Sequence, residues 1–238
     1  DSARIQEFEA KWRNRKAKRS GEDMYKPLYT AEDALKTLKQ FIACDYDKEY
    51  ELCKGIKIRF TDAGHLLGSS SISIEVTEAG NKETIVFSGD LGNCNRPLIR
   101  DPQQPKSADY VVIESTYGDR LHGERPDYIS QLTRILKETF DRGGNVIIPS
   151  FAIGRTQELL YLLRIIKEKG LIDGHGDFPV YVDSPLAVEA TEIYSSDLTD
   201  YFDNETLDLL KKGINPIKFS NLRLSLTSED SVKINLDK

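Results

Sequence analysis

No apolar run in this 238-residue chain approaches the ~18–20 residues that span a membrane. The opening "DSARIQEFEA" has no apolar stretch of the kind a secretion signal needs. No membrane partner is therefore expected. Cysteine is scarce: Cys44, Cys53 and Cys94 are odd in number and show no CxxC spacing. That argues against a disulfide framework and a structural cysteine zinc site, and it favours a reducing, cytoplasmic setting. Methionine occurs once, at Met24 and not at the start, so a piece of a longer protein is expected. No GxGxxG and no P-loop ending in Lys-Ser/Thr occurs, which leaves nucleotide-driven chemistry unsupported. A GxSxG elbow is missing too, so a serine-hydrolase reading fails.

What remains is a globular composition, 39% apolar and 30% charged, long enough to bury a core. The net charge of −6 argues against a surface coated throughout by nucleic acid, though it leaves room for a local basic groove. One such cluster stands out in "KWRNRKAKRS": Lys11, Arg13, Arg15, Lys16, Lys18 and Arg19. It is either a solvated helix or a segment that attracts phosphate.

The first thirty residues read as a charged helix and a loop through Pro27. A second helix is expected in "YTAEDALKTLKQFIA", with Thr30 as N-cap, Glu32 and Asp33 in the first turn, and an apolar stripe of Leu35, Leu38 and Ile42. From residue 49 to 90 the pattern becomes strands: "EYELC", "IKIRF", "SISIEV" and "TIVFSGD", the last two joined as a hairpin through "TEAGNKE". "ADYVVIEST" at 108–116 reads as a buried strand. Beyond residue 120, helices at "RPDYISQLTRILKETFDRG", "GRTQELLYLLRIIKEKG" and "PLAVEATEIYSS" alternate with strands "NVIIPS" and "FPVYVDS", the rhythm of a parallel α/β sheet. The boundary between the two halves is expected near 117–124.

Several residues can carry chemistry. His65 lies in a glycine-flanked turn between strand-like runs, and Asp90 ends a strand between Gly89 and Gly92. Imidazole and carboxylate are both zinc donors, although each residue is also an ordinary turn residue. Glu114 closes an apolar strand, where a carboxylate either serves a ligand or proton transfer or makes a salt bridge. At the strand-to-helix corners, Ser150, Arg155 and Thr156 in one and Ser184 before Pro185 in the next can meet a phosphate at a helix start, or merely cap it. His122 can face the same cleft as Glu114. His175, in a glycine-rich loop, is expected to be solvated.

The order of these pieces carries more than any one of them. "DAGHLLGS", "FSGDLGN", "VVIESTYGDRLH", "IIPSFAIGRTQELLYLL" and "YVDSPLA", together with "DSARIQE" and "PLYTAEDA", closely resemble metallo-β-lactamase-fold hydrolases of the β-CASP type. The bacterial or archaeal RNA specificity domain branch of these RNA-processing nucleases is nearest. The resemblance implies an α/β fold: part of a metallo-β-lactamase αββα sandwich, followed by an inserted β-CASP domain with a mainly parallel sheet and helices on both faces. It places residues 1–118 in the first domain and 119–238 in the second. It further implies two zinc ions held in part by His65 and the bridging Asp90, with Glu114 the catalytic acidic residue beside them. Ser150, Arg155, Thr156, Ser184 and His122 would face the substrate, single-stranded RNA, and a homodimer is compatible.

The chain departs from the family by lacking the HxHxDH block and the later histidine motifs. A central portion of a zinc-dependent ribonuclease, inactive alone, is therefore expected. The alternatives are a non-catalytic RNA-binding scaffold and a metal-dependent hydrolase of a small ester or thioester.

Overall fold

The computed structural model describes residues 2–20, 23–121, 123, 126–196 and 198–234. It divides into two compact units, residues 1–45 and 46–238.

In the first unit, α1 (Ser2–Ser20) contains neither glycine nor proline, and its Ala, Arg, Lys, Gln and Glu residues are strong helix formers. Ala3, Ala10 and Ala17, seven residues apart, are buried. Asn14 fixes the returning chain by donating from Nδ2 to the Tyr25 carbonyl (2.9 Å) and accepting the Tyr25 N–H (2.7 Å). The second helix, α2 (Ala31–Leu38), starts as expected: the Thr30 side chain accepts from Asp33 N–H while the Asp33 carboxylate accepts from Thr30 N–H. The helix is short, and it buries none of its residues.

The second unit opens with β1 (Glu49–Cys53), β2 (Ile56–Asp62), β3 (Ser70–Glu78), β4 (Asn81–Phe87) and β5 (Tyr110–Val112), side by side in that order. The first four form an antiparallel meander, and β5 runs parallel to β4. The β3–β4 hairpin closes through Ala79 and Gly80, both at positive φ, which matches the right-handed twist of the strands.

Helices α3 (Tyr128–Phe140), α4 (Arg155–Glu168) and α5 (Pro185–Tyr194) follow, with β6 (Val180–Val182) paired in parallel to β7 (Leu222–Leu224). Two further helices, α6 (Asn204–Lys211) and α7 (Ser228–Ile234), flank β7 in the chain. Helix α4 is buried on two sides. Leu160 and Tyr161 join a core with Val182, Val188, Tyr194, Phe202 and Ile217, while Leu163 and Ile166 join another with Leu136 of α3 and Ile172. Leu98 and Ile99, from the loop after β4, belong to the first of these cores. Ile99 also makes an isolated bridge to Phe202. The fold is α/β.

Two strand expectations need correction. The run at 108–116 was expected to be buried, but β5 is three residues long and its side chains are 53–60% exposed. It sits at the sheet's outer edge, where no described element covers it. "NVIIPS" forms no strand, and Ile147 is 88% exposed. An apolar run favours extended chain, but only a neighbouring strand makes it a ladder.

Candidate active site at one edge of the sheet

Because β2 and β4 run the same way and β5 parallels β4, these three strands end at the same edge of the sheet. His65 follows β2, Asp90 follows β4 and Glu114 follows β5. The topology thus collects three residues widely separated in sequence.

The His65 turn is fixed by its own polar groups. Asp62 Oδ1 accepts the Gly64 N–H (2.9 Å), and Ser69 Oγ accepts those of His65 (3.0 Å) and Leu66 (3.1 Å). Burial pushes the Asp62 carboxyl above its usual range, partly offset by that Gly64 hydrogen bond. The turn then meets the 88–92 loop at very close quarters. Gly92 N–H donates to the Ala63 carbonyl (2.8 Å), and a Cβ on Gly92 would lie 1.7 Å from the Gly64 oxygen. Only glycine fits there.

That loop is held from both sides at Leu91. His65 Nδ1 lies 3.4 Å from the Leu91 carbonyl, and Glu114 Oε1 accepts the Leu91 N–H (2.9 Å). A carbonyl can only accept, so in this contact Nδ1 carries the hydrogen, and in the neutral ring Nε2 is then the nitrogen with the lone pair. Glu114 is steadied further by its own N–H donating to Ser88 Oγ (3.0 Å). Hydrogen bonds from Thr116 and from Leu91 N–H, with His65 nearby, hold its carboxyl below the ordinary range. It is therefore an anion at neutral pH. Asp90 is exposed, one residue from the Leu91 peptide that His65 and Glu114 share.

Arg96 ties this edge to α4. Its Nη1 donates to the His65 carbonyl (2.9 Å), while Nε and Nη2 both donate to Oε1 of Glu158, the Nε contact at 2.7 Å. Glu158, buried in the first turn of α4, takes Arg155 Nη1 on its other oxygen (2.9 Å). Gly154, at φ +81, lets the corner pass over Leu66, whose Cδ2 would be 2.2 Å from an added Cβ. A small cavity is left between His65, Arg96, Gly154, Glu158 and Tyr194.

The corner residues are largely satisfied locally. Thr156 Oγ1 donates to the Phe151 carbonyl (2.7 Å) and lies 3.2 Å from Ser150 Oγ. The N–H groups of Arg155 and Thr156 bond to Ile153 and Phe151. Ser184 caps α5 by accepting the Ala187 N–H (3.3 Å). Ser150, Arg155 and Thr156 thus share one corner that reaches His65 through Glu158 and Arg96, whereas Ser184 acts at its own helix start. His122 lies outside the described residues. His175 is not simply solvated: its Nε2 is 3.1 Å from Asp141 Oδ1 and its ring packs on Phe140.

Sequence reasoning missed Arg96, Glu158, Ser69 and the close approach at Gly92. Glu158 left a signal, an acidic residue in a helix buried on both sides. Arg96 left none.

The donor types suit zinc: an imidazole and an exposed carboxylate. Among the described residues, however, no group of three or more His, Cys, Asp or Glu side chains gathers to hold a metal ion. By donor type alone, His65 and Asp90 cannot complete a four-ligand centre.

Residues 156–238 match the Beta-Casp domain family. The chain is 34% identical to ribonuclease TTHA0252 of Thermus thermophilus over 89% of its own length and 47% of that protein. It is 34% identical to an RNase J-like protein of Methanocaldococcus jannaschii, over 79% of the chain and 43% of the relative. The endoribonuclease YSH1 of Kluyveromyces lactis is 29% identical over 82% and 25%. The chain spans less than half the length of these curated relatives. The Beta-Casp match places residues 156–238 in that domain family, and over most of its length the chain is similar to metallo-β-lactamase-fold β-CASP nucleases.

Proposed function

We propose that this chain is the central part of a zinc-dependent phosphodiester hydrolase that acts on single-stranded RNA in the cytoplasm. Residues 1–118 contribute to its metallo-β-lactamase domain and 119–238 to its β-CASP domain. The observation that carries this reading is the shared clamp on Leu91, where His65 and Glu114 hold the loop bearing Asp90. Ribonuclease names among the relatives support the substrate class.

His65, through Nε2, and Asp90, through its carboxylate, would hold metal with ligands from outside this chain. When bound, zinc polarises a phosphoryl oxygen and acidifies a water near neutral pH. The chain's own residues prepare that chemistry. Leu91 fixes the His65 tautomer, Ser69 and Gly92 fix the turn, and Glu114 stands as an anion able to accept a proton at the cleft. Arg155 offers the one cation of the Ser150–Thr156 corner to a phosphate, while its Glu158 contact limits its reach. The 238-residue chain alone is inactive on this reading, and a homodimer is compatible with it.

The test uses the longer protein that contains this chain. His65→Ala and Asp90→Ala should each abolish RNA hydrolysis and lower bound zinc by elemental analysis, while RNA binding persists. Full hydrolysis and full zinc content in Asp90→Ala would remove that residue from the centre. Zinc measured on the 238-residue chain should be near zero, since its donor set is incomplete.

A further inference from the structure

The basic segment at 11–20 plays no part in the site above, yet α1 arranges it in an ordered way. Arg4, Lys11, Arg15 and Lys18 recur at i, i+7, i+11 and i+14, and all four are exposed. At 3.6 residues per turn they fall within a sector of roughly 60°. Beside them, Ile5, Phe8 and Trp12 form a second stripe, 58%, 70% and 52% exposed. The buried Ala3, Ala10 and Ala17 occupy a different sector from either stripe. Of the residues in α1, seven are basic and two acidic, in a chain whose net charge is −6.

We infer that this surface of α1 binds single-stranded nucleic acid, with phosphates along the basic stripe and bases on Phe8 and Trp12. A row of cations beside exposed aromatic rings is the arrangement that tracks a single strand without reading its sequence. A duplex would use the cations and leave the rings idle, because its bases are already stacked. The choice of RNA over DNA rests on the ribonuclease reading above, but the surface itself does not.

The test uses the 238-residue chain and a fluorescein-labelled oligoadenylate of about fifteen nucleotides, longer than most single OB-fold sites. Trp12 is the only tryptophan, so its emission reports on the proposed surface directly. Binding followed by anisotropy should be matched by quenching of Trp12 at the same midpoint. Replacing Arg4, Lys11, Arg15 and Lys18 together by Gln keeps good helix formers in place, which circular dichroism would verify. The variant should weaken binding at least about tenfold at low salt. It should also flatten the log K against log salt slope by about 0.7 per lost phosphate contact, near 3 for all four.

RNA binding with unchanged Trp12 emission and an unchanged salt slope in the variant would overturn the assignment. Absence of RNA binding would do the same. So would a Trp12 blue shift with phosphatidylcholine–phosphatidylserine vesicles and not with RNA, which would mark a lipid-binding helix. Loss of hydrolysis in the His65 and Asp90 variants of the longer protein is read separately. A silent Trp12 alongside that loss would reject the α1 surface and leave the proposed function standing.

Discussion

Replacing Gly92 by alanine is a direct test of how the His65 turn is held. The added Cβ would lie 1.7 Å from the Gly64 oxygen, 2.1 Å from its carbonyl carbon and 2.7 Å from the His65 nitrogen. All three are backbone atoms, so no side chain can swing aside, and the two segments must part by more than an ångström. Over-packing of that kind costs about 1–3 kcal/mol. Parting the segments also breaks the Gly92–Ala63 hydrogen bond and the His65–Leu91 contact, at about 1 kcal/mol each. The sum, about 3–5 kcal/mol, is a large share of the ~5–15 kcal/mol that stabilises a typical protein.

Gly68→Ala is the control. Gly68 has φ +83 with nothing near its Cβ position, so only left-handed strain of ~1–2 kcal/mol applies. Urea unfolding followed by circular dichroism is the assay. A Gly92→Ala protein within ~0.5 kcal/mol of the parent, or more stable than Gly68→Ala, would refute the steric argument.

Further outcomes follow from other parts of the structure. Glu158→Gln leaves Arg96 without its carboxylate in a mostly buried setting, while Arg155, 57% exposed, keeps its water, so the loss of the Arg96 pair should cost about 3 kcal/mol in urea unfolding; an equally stable variant would show that the pair carries no weight. Leu98→Ala empties a site only 1% exposed and should cost about 2–5 kcal/mol, a value the same titration tests. At the N-cap of α3, hydrogen bonds from the Ser130 hydroxyl and N–H hold the Asp127 carboxyl below its usual range. Its stabilisation should therefore be complete above the unfolded value near ~4 and be lost as pH falls through the lower folded value. Asp127→Ala should be less stable than the parent at neutral pH, and the difference should shrink in acid; a constant difference across pH would contradict that linkage.

Local order was legible in the sequence. The Thr30–Asp33 capping box, the hairpin at Ala79–Gly80 and Ser184–Pro185 at the start of α5 all lie where short-range patterns place them, because each depends on neighbours within four residues. Helix α4 was legible for the same reason. The C-terminal β7 and α6 left weaker signals: β7 is three residues long and exists by pairing with β6, more than forty positions earlier.

The sequence alone therefore determined helices α1 to α5, the strands between residues 49 and 90 with the β3–β4 hairpin, the family resemblance and the choice of His65, Asp90 and Glu114 as residues of interest. Tertiary structure alone decided that they share one edge of the sheet, because strand direction and order are properties of pairing. It also brought Arg96 to Glu158 and Gly92 against Gly64, contacts between segments whose spacing in the chain carries no periodic signal. Hydrogen bonds and steric fit act over a few ångströms in space, and only the folded chain determines which residues come that close.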